Sequence, residues 1–194
     1  VIEEQCQASI TQMVELREED QASCLRVYWQ LCFNLMGSSD NTVELSGKAM
    51  NEKEFVFSDG SHSHFVIVKT IAYNLFGRYE LGAHLPLEKG DRHYLKIKGG
   101  NFATMMFWFH RSLCLYAMAG ENKMKNREYM AQAKGIHKEL IDSLDNKNPN
   151  VLRYVCLLNA EKAALKQKKT QEEIRKLYND AINLSARSGY VHDA

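Results

Sequence analysis

Proline is almost absent: Pro86 and Pro149 are the two in 194 residues, so little in the chain forbids long stretches of helical backbone. Long apolar runs are missing too. The most apolar cluster, around Met105–Phe109, ends at His110 and Arg111, well short of the roughly eighteen uninterrupted apolar residues that a membrane-spanning helix needs. Nor is there a surplus of one charge. The 25 Lys+Arg against 24 Asp+Glu give a formal net charge of +1, which supplies no global field to gather nucleic acid or an anionic membrane surface. The five cysteines (Cys6, Cys24, Cys32, Cys114, Cys156) form no CxxC pair. Their odd number and wide spacing argue against a disulfide framework or a zinc knuckle, and predict buried thiols in a reducing, cytoplasmic compartment. Val1 stands where an initiator methionine would, with no leader pattern behind it, and the expectation is an excised piece of a longer protein.

What is present is apolar spacing of three and four residues, the helical period rather than the strand period. The fold class predicted is all-α, with about eight helices in one domain over residues 1–194. A helix pair over 1–37 carries one stripe through Ile2, Cys6, Met13 and Leu16, and a second through Leu25, Tyr28, Cys32 and Leu35. Gly37 and SSDN open an irregular connection over 38–64, with a short helical piece near Val43–Met50 and a turn at Asp59-Gly60. A helix-pair array follows over 65–194. Within it, Phe102–Ala119 is apolar nearly all round and should be the most buried helix. Met130, Ala133, His137, Leu140 and Leu144 make one core stripe, and Val151, Tyr154, Val155 and Leu158 another. Asn148-Pro149 reads as a helix start. Thr170 and Glu173 form a capping box for a last helix with core face Ile174, Leu177, Tyr178, Ala181 and Leu184, stopped by Gly189.

Two places share a grammar of helix, tight turn and second helix with a small residue at the close approach. In YNLFGRYELGAHL the turn is Gly77-Arg78, followed by Tyr79 and Gly82; near the C-terminus Ala160 and Ala163-Ala164 precede the turn at Lys168–Thr170, and Tyr178 and Ala181 follow it. Helix pairs of this kind are tetratricopeptide-like units, in which small residues admit a neighbour and aromatics fill the adjoining holes. Beyond this pattern, AYNLFGRYELGAHL (72–85), FWFHRSLCLYAMA (107–119), NPNVLRYVCLLNAEKAAL (148–165) and LYNDAINLSARSGYVHDA (177–194) resemble the helical middle region of very large signalling kinases. Those proteins combine a protein-kinase-like module, an AAA ATPase, a TPR-like array, sensor domains and often a histidine kinase. The resemblance implies a linker-scaffold inside a multidomain signal transducer. It also implies that GYVHDA opens a further helix, leaving the last complete helix with an apolar face and a tendency to self-associate.

Reaction chemistry has few candidates. His62 and His64 are two apart and could face one metal only from an extended backbone, with Asp59, His84 or His93 completing the set by tertiary approach. IHKELID around His137 places a helical histidine before an acidic residue, as a phosphoacceptor box does, but lacks the arginine and proline that continue such a box, and His137 falls on a core stripe. KGGNFA (98–103) lacks the lysine and hydroxyl of a phosphate loop, and GDRHY (90–94) has a kinase-like composition in the wrong order. Phe107-Trp108-Phe109 point around a helix rather than into one cavity. The paired carboxylates Glu3-Glu4, Glu18-Glu19 and Glu172-Glu173 suit first turns. Lys162, Lys166, Lys168 and Lys169 make a basic patch at a helix C-terminus that could meet an acidic peptide. The reading is a non-enzymatic interaction and spacer module with no cofactor and no metal, whose partners are protein segments or neighbouring domains. The alternative is a small-ligand sensor with an apolar pocket lined by Phe102–Ala119.

Overall fold

The computed structural model describes residues 2–56, 58–88, 101–166 and 168–190. Among them are eight α-helices and no strand: α1 (Ile2–Glu15), α2 (Glu19–Leu35), α3 (Asp59–Leu75), α4 (Tyr79–Glu88), α5 (Phe102–Glu121), α6 (Asn126–Asp145), α7 (Leu152–Lys166) and α8 (Gln171–Arg187), with a 3₁₀ turn at Pro149–Val151 leading into α7. The all-helical expectation is met. No helix among the described residues is long and apolar enough to cross a membrane.

Five helix ends close in the same way. Arg17, Gly37, Gly77, Lys147 and Gly189 all have φ between 63° and 81°, and the amide of the following residue reaches back to the carbonyl five positions earlier: Glu18 to Met13, Ser38 to Phe33, Arg78 to Tyr73, Asn148 to Ser143 and Tyr190 to Ser185, at 2.7–3.2 Å. This is the Schellman closure, which satisfies carbonyls left over at a helix end. Glycine adopts it without Cβ strain, as at Gly77 and Gly189. Arg17 and Lys147 do so at a cost, which is why composition alone did not mark them as stops. Helix starts are equally explicit. The Thr170 side chain accepts from the Glu173 amide at 3.2 Å while Glu173 accepts from the Thr170 amide at 2.8 Å, the reciprocal bonds expected there. Asn148 caps the 3₁₀ turn, and Asn101 caps α5 through the Ala103 amide.

Short turns make consecutive helices into hairpins, and the contacts repeat: α1 with α2, α3 with α4, α5 with α6, α7 with α8, while α3 also packs on α2, α5 on both α3 and α4, and α7 on both α5 and α6. Each pair thus leans its first helix on the pair before. α5 sits at the centre, and its buried residues (Met105, Phe107–Ser112, Cys114–Tyr116, Met118 and Ala119 among them) cover its circumference. A fully buried side chain such as Phe107 contributes roughly 2–3 kcal/mol. Close approach explains Gly82 on α4: a Cβ there would lie 2.5 Å from Cys114 Sγ on α5. Ala160 and Ala181 are buried, whereas Tyr178 is half-buried and Tyr79 packs on the core edge.

Several expectations are corrected. The connection ends at Ser58, not residue 64, because Ser58 and Ser61 form a capping box that starts α3 at Asp59; DGSHSH is helical, without a turn at Asp59-Gly60. The segment Val43–Met50 is not helical. On α2 the stripe Leu25, Tyr28, Cys32, Leu35 is half-buried to exposed, and Ala22, Val27, Trp29–Leu31, Phe33 and Asn34 are buried instead. The cause is packing on two sides, against α1 and against α3 with the connection, which a single-stripe pattern does not describe. Leu16 lies beyond α1 and is exposed. Of the thiols, Cys114 is buried, Cys32 is exposed and the other three are half-buried. On α8 only Ala181 and Ser185 are buried, since among the described residues its main helix contact is with α7. GDRHY, His93, the glycines of KGGNFA and the VHDA end of GYVHDA lie outside the described residues.

Candidate functional site

The histidines considered for chemistry are placed at helix interfaces. His64 and His62 lie on a helix, so two positions apart puts them on different faces, contrary to the extended backbone a shared metal would need. His64 Nδ1 on α3 meets the Tyr28 hydroxyl of α2 at 3.0 Å. His84 Nε2 on α4 meets the Tyr129 hydroxyl of α6 at 3.1 Å. His110 Nδ1 on α5 pairs with Asn74 Nδ2 of α3 at 2.9 Å. His137 Nδ1 on α6 pairs with the Tyr116 hydroxyl of α5 at 3.0 Å. Each bond joins two helices that pack on one another or lie beside the same third one.

His137 is 1 % exposed, so no donor phosphate could reach it without opening the core. Burial, aided by the Lys162 charge, pushes its pKa down to about 4, and the neutral imidazole shares a hydrogen bond with the Tyr116 hydroxyl. Burial likewise lowers His64. Among the described residues no group of three or more His, Cys, Asp and Glu side chains is assembled for a metal.

The arrangement that could act on a partner is a cleft of about 340 Å³ on the side where the first helices of three successive pairs meet. It is lined by Asn74 and Leu75 of α3, Tyr79 of α4, Leu113 and Ala117 of α5, and Leu157 and Glu161 of α7. Leu75 is half exposed, and the lining offers aliphatic and aromatic surface with a single carboxylate. Burial raises the Glu161 pKa, and the Tyr178 hydroxyl facing it works the other way. Glu161 in turn pushes the Tyr116 and Tyr178 phenols up, after burial. Sequence reading missed this cleft, because its lining comes from four helices at positions of no common period. The repeat positions named from sequence border it through Tyr79 and Tyr178, while Gly77, Gly82, Ala160, Ala181 and Gly189 serve turns and packing. A second cleft, about 540 Å³, lies between α2 and α3 and is lined by Met13, Asp20, Cys24, Leu25, Tyr28 and His64 among others.

One buried charge has no role in either cleft. Arg111 on α5 is 1 % exposed, its Nε and Nη1 have no hydrogen-bond acceptor among the described residues, and burial lowers its pKa to about 10. Comparison with known proteins adds no identity: no protein-family model, no curated protein and no solved structure matches the chain.

Proposed function

We propose that the chain is a non-catalytic scaffold and spacer, that the cleft between α3, α5 and α7 takes up an extended protein segment, and that the parent is a multidomain signal transducer of the AAA ATPase and histidine-kinase type. The observation that carries the first two parts is the cleft itself: an apolar and aromatic lining, one carboxylate for orientation, and walls contributed by the first helices of successive pairs. Such a surface suits an extended segment. The parent's character rests on the resemblance of the four segments given above. The engagement of His64, His84, His110 and His137 between helices supports a structural rather than a catalytic use of the titratable groups.

The sensor alternative requires a cavity along α5. Leu113 and Ala117 of that helix do line a cleft, but it is open and bounded by Asn74 and Glu161 rather than enclosed by apolar side chains. Most of the rest of α5 is packed in the core, and the cleft between α2 and α3 has no α5 residue in its lining. The scaffold reading is therefore preferred. A photo-crosslinking residue at Leu75, compared with one at the exposed Val14, tests it in the native host. The scaffold reading expects a discrete protein adduct at position 75 that is lost in Leu113→Asp; adducts that are absent, or identical at both positions, count against it.

A further inference from the structure

Charge is segregated along the stack although the total is nearly neutral. Residues 1–88 hold 13 acidic and 6 basic side chains, residues 89–194 hold 11 acidic and 19 basic ones. The two ends concentrate this difference. At the α1–α2 turn Glu15, Glu18, Glu19 and Asp20 are exposed, with Arg17 the one cation among them. At the end of α7, Lys162 is crowded by Lys166 and by Lys134 of α6, and Lys168 follows in the exposed turn to α8. Among the described residues, the ion pairs are Lys48 with Glu3, Lys53 with Glu44, Lys69 with Glu52 and Lys169 with Glu173; none of these engages the four carboxylates or the four ammonium groups. Counter-charges at the basic end include Glu172 and Glu173 in the first turn of α8 and Glu121, next to Gly120 where α5 meets Leu165 of α7; Glu173 is held by Thr170 and Lys169.

Topology puts the two clusters at one level. In a run of helix hairpins the turn inside each pair lies at one end and the connection between pairs at the other, so the α1–α2 and α7–α8 turns share an end. Among the described residues the main helix contact of α1 is α2, and that of α8 is α7. Val14 and Leu16 are exposed beside the acidic turn, Ile182 on α8.

We propose that the chain associates head to tail with a second copy of itself, the acidic α1–α2 turn of one molecule against the basic Lys134, Lys162, Lys166 and Lys168 cluster of the next, continuing the stack. The contact is heterologous, so it propagates rather than closing as a two-fold dimer. It is independent of what the cleft binds.

Sedimentation velocity tests it with two variants at exposed positions. Glu18→Lys with Glu19→Lys makes both ends basic; Lys166→Glu with Lys168→Glu makes both ends acidic. The wild-type chain is expected to self-associate at low salt and to weaken as the Debye length shortens from about 30 to about 8 Å. Each variant alone is expected to associate on the order of tenfold more weakly, and an equimolar mixture of the two to recover association, because the acidic turn of one meets the lysines of the other. A wild-type chain that stays monomeric at low salt overturns the proposal. So does association that neither variant reduces, which would point to the apolar faces, or a mixture that does not recover. Unchanged thermal unfolding of both variants keeps misfolding out of the comparison.

Discussion

Between Met36 and Ser58 the backbone is held largely by side chains, those of Gln30, Asn34 and Lys69 on the flanking helices and those of Asn41, Ser46 and Glu52 within the connection, whereas α5 to α7 are held by their own helical ladders and by apolar contact. In the connection, Asn34 Nδ2 on α2 donates to the carbonyls of Asn41, Thr42 and Glu44 at 3.3, 3.0 and 2.8 Å. Gln30, one turn earlier, accepts from the Ala49 amide at 3.0 Å and donates to Asn34 Oδ1 at 2.9 Å. Lys69 on α3, 4 % exposed, donates to the Val43 carbonyl at 2.7 Å and to both oxygens of Glu52 at 3.0 and 2.9 Å. Glu52 also receives the Leu45 amide at 2.7 Å. The ammonium lies 4.9 Å from the centre of the Tyr73 ring. Leu45 and Met50 are thereby carried into the core. The lesson is that an irregular segment can be as firmly anchored as a helix when buried polar groups take over what its own ladder would have done.

The largest way to break this comparison is on the irregular side. Glu52→Ala strips the counter-charge from a buried lysine and should cost about 3 kcal/mol in urea unfolding, with the connection becoming susceptible to protease. A loss below about 1 kcal/mol would mean that Lys69 finds water instead. On the helical side the matching effect comes from pH. His137 has a folded pKa of about 4, below its unfolded value near 6.5, so the unfolded chain binds the extra proton. Stability is therefore flat above pH 6.5 and falls as pH drops toward 4, by roughly 3 kcal/mol at 1.36 kcal/mol per pH unit. Unfolding curves from pH 7 to 5 measure the slope, to which His64 adds in the same direction; a His137→Leu variant should be flatter over that range.

Smaller effects sharpen the contrast. Asn34→Ala should cost about 2 kcal/mol by orphaning the three carbonyls, again read by urea unfolding. Gly82→Ala should cost about 1 kcal/mol through the 2.5 Å clash with Cys114 Sγ, after the gain in helix propensity is subtracted. Most of that loss should return in Gly82→Ala with Cys114→Ala, and an additive double mutant would show that the close approach is not what excludes a side chain. Last, Lys147→Gly relieves a φ of 67° and should raise stability by up to about 1 kcal/mol, visible as a higher Tm.

These two regions also differ in how much the sequence revealed. The stripes of α6 and α7, the capping box at Thr170 and the Gly77 and Gly189 stops were legible because each depends on neighbours within one turn or one helix face. The anchors Gln30, Asn34 and Lys69 look in sequence like solvated positions, and only the packing of the connection over α2 and α3 buries them. Ser58 as the start of α3 was hidden for a related reason: Ser61 replaces the usual acidic residue in the capping box. The α2 stripe was misread because a helix covered on two sides has no single apolar face. As for the cleft, none of its seven lining residues is unusual alone, and its form exists only once α3, α5 and α7 lie side by side.

A spacer can pass on displacement only if the irregular segment is as stiff as the helices it joins, and amide hydrogen exchange measures that directly. The account predicts that the Leu45 and Gly47 amides, bonded to Glu52 Oε2 and the Met50 carbonyl, exchange on the same slow timescale as the amides of α5 and lose protection in Glu52→Ala. Exchange of Leu45 and Gly47 within seconds in the unaltered chain, while α5 stays protected, would contradict it.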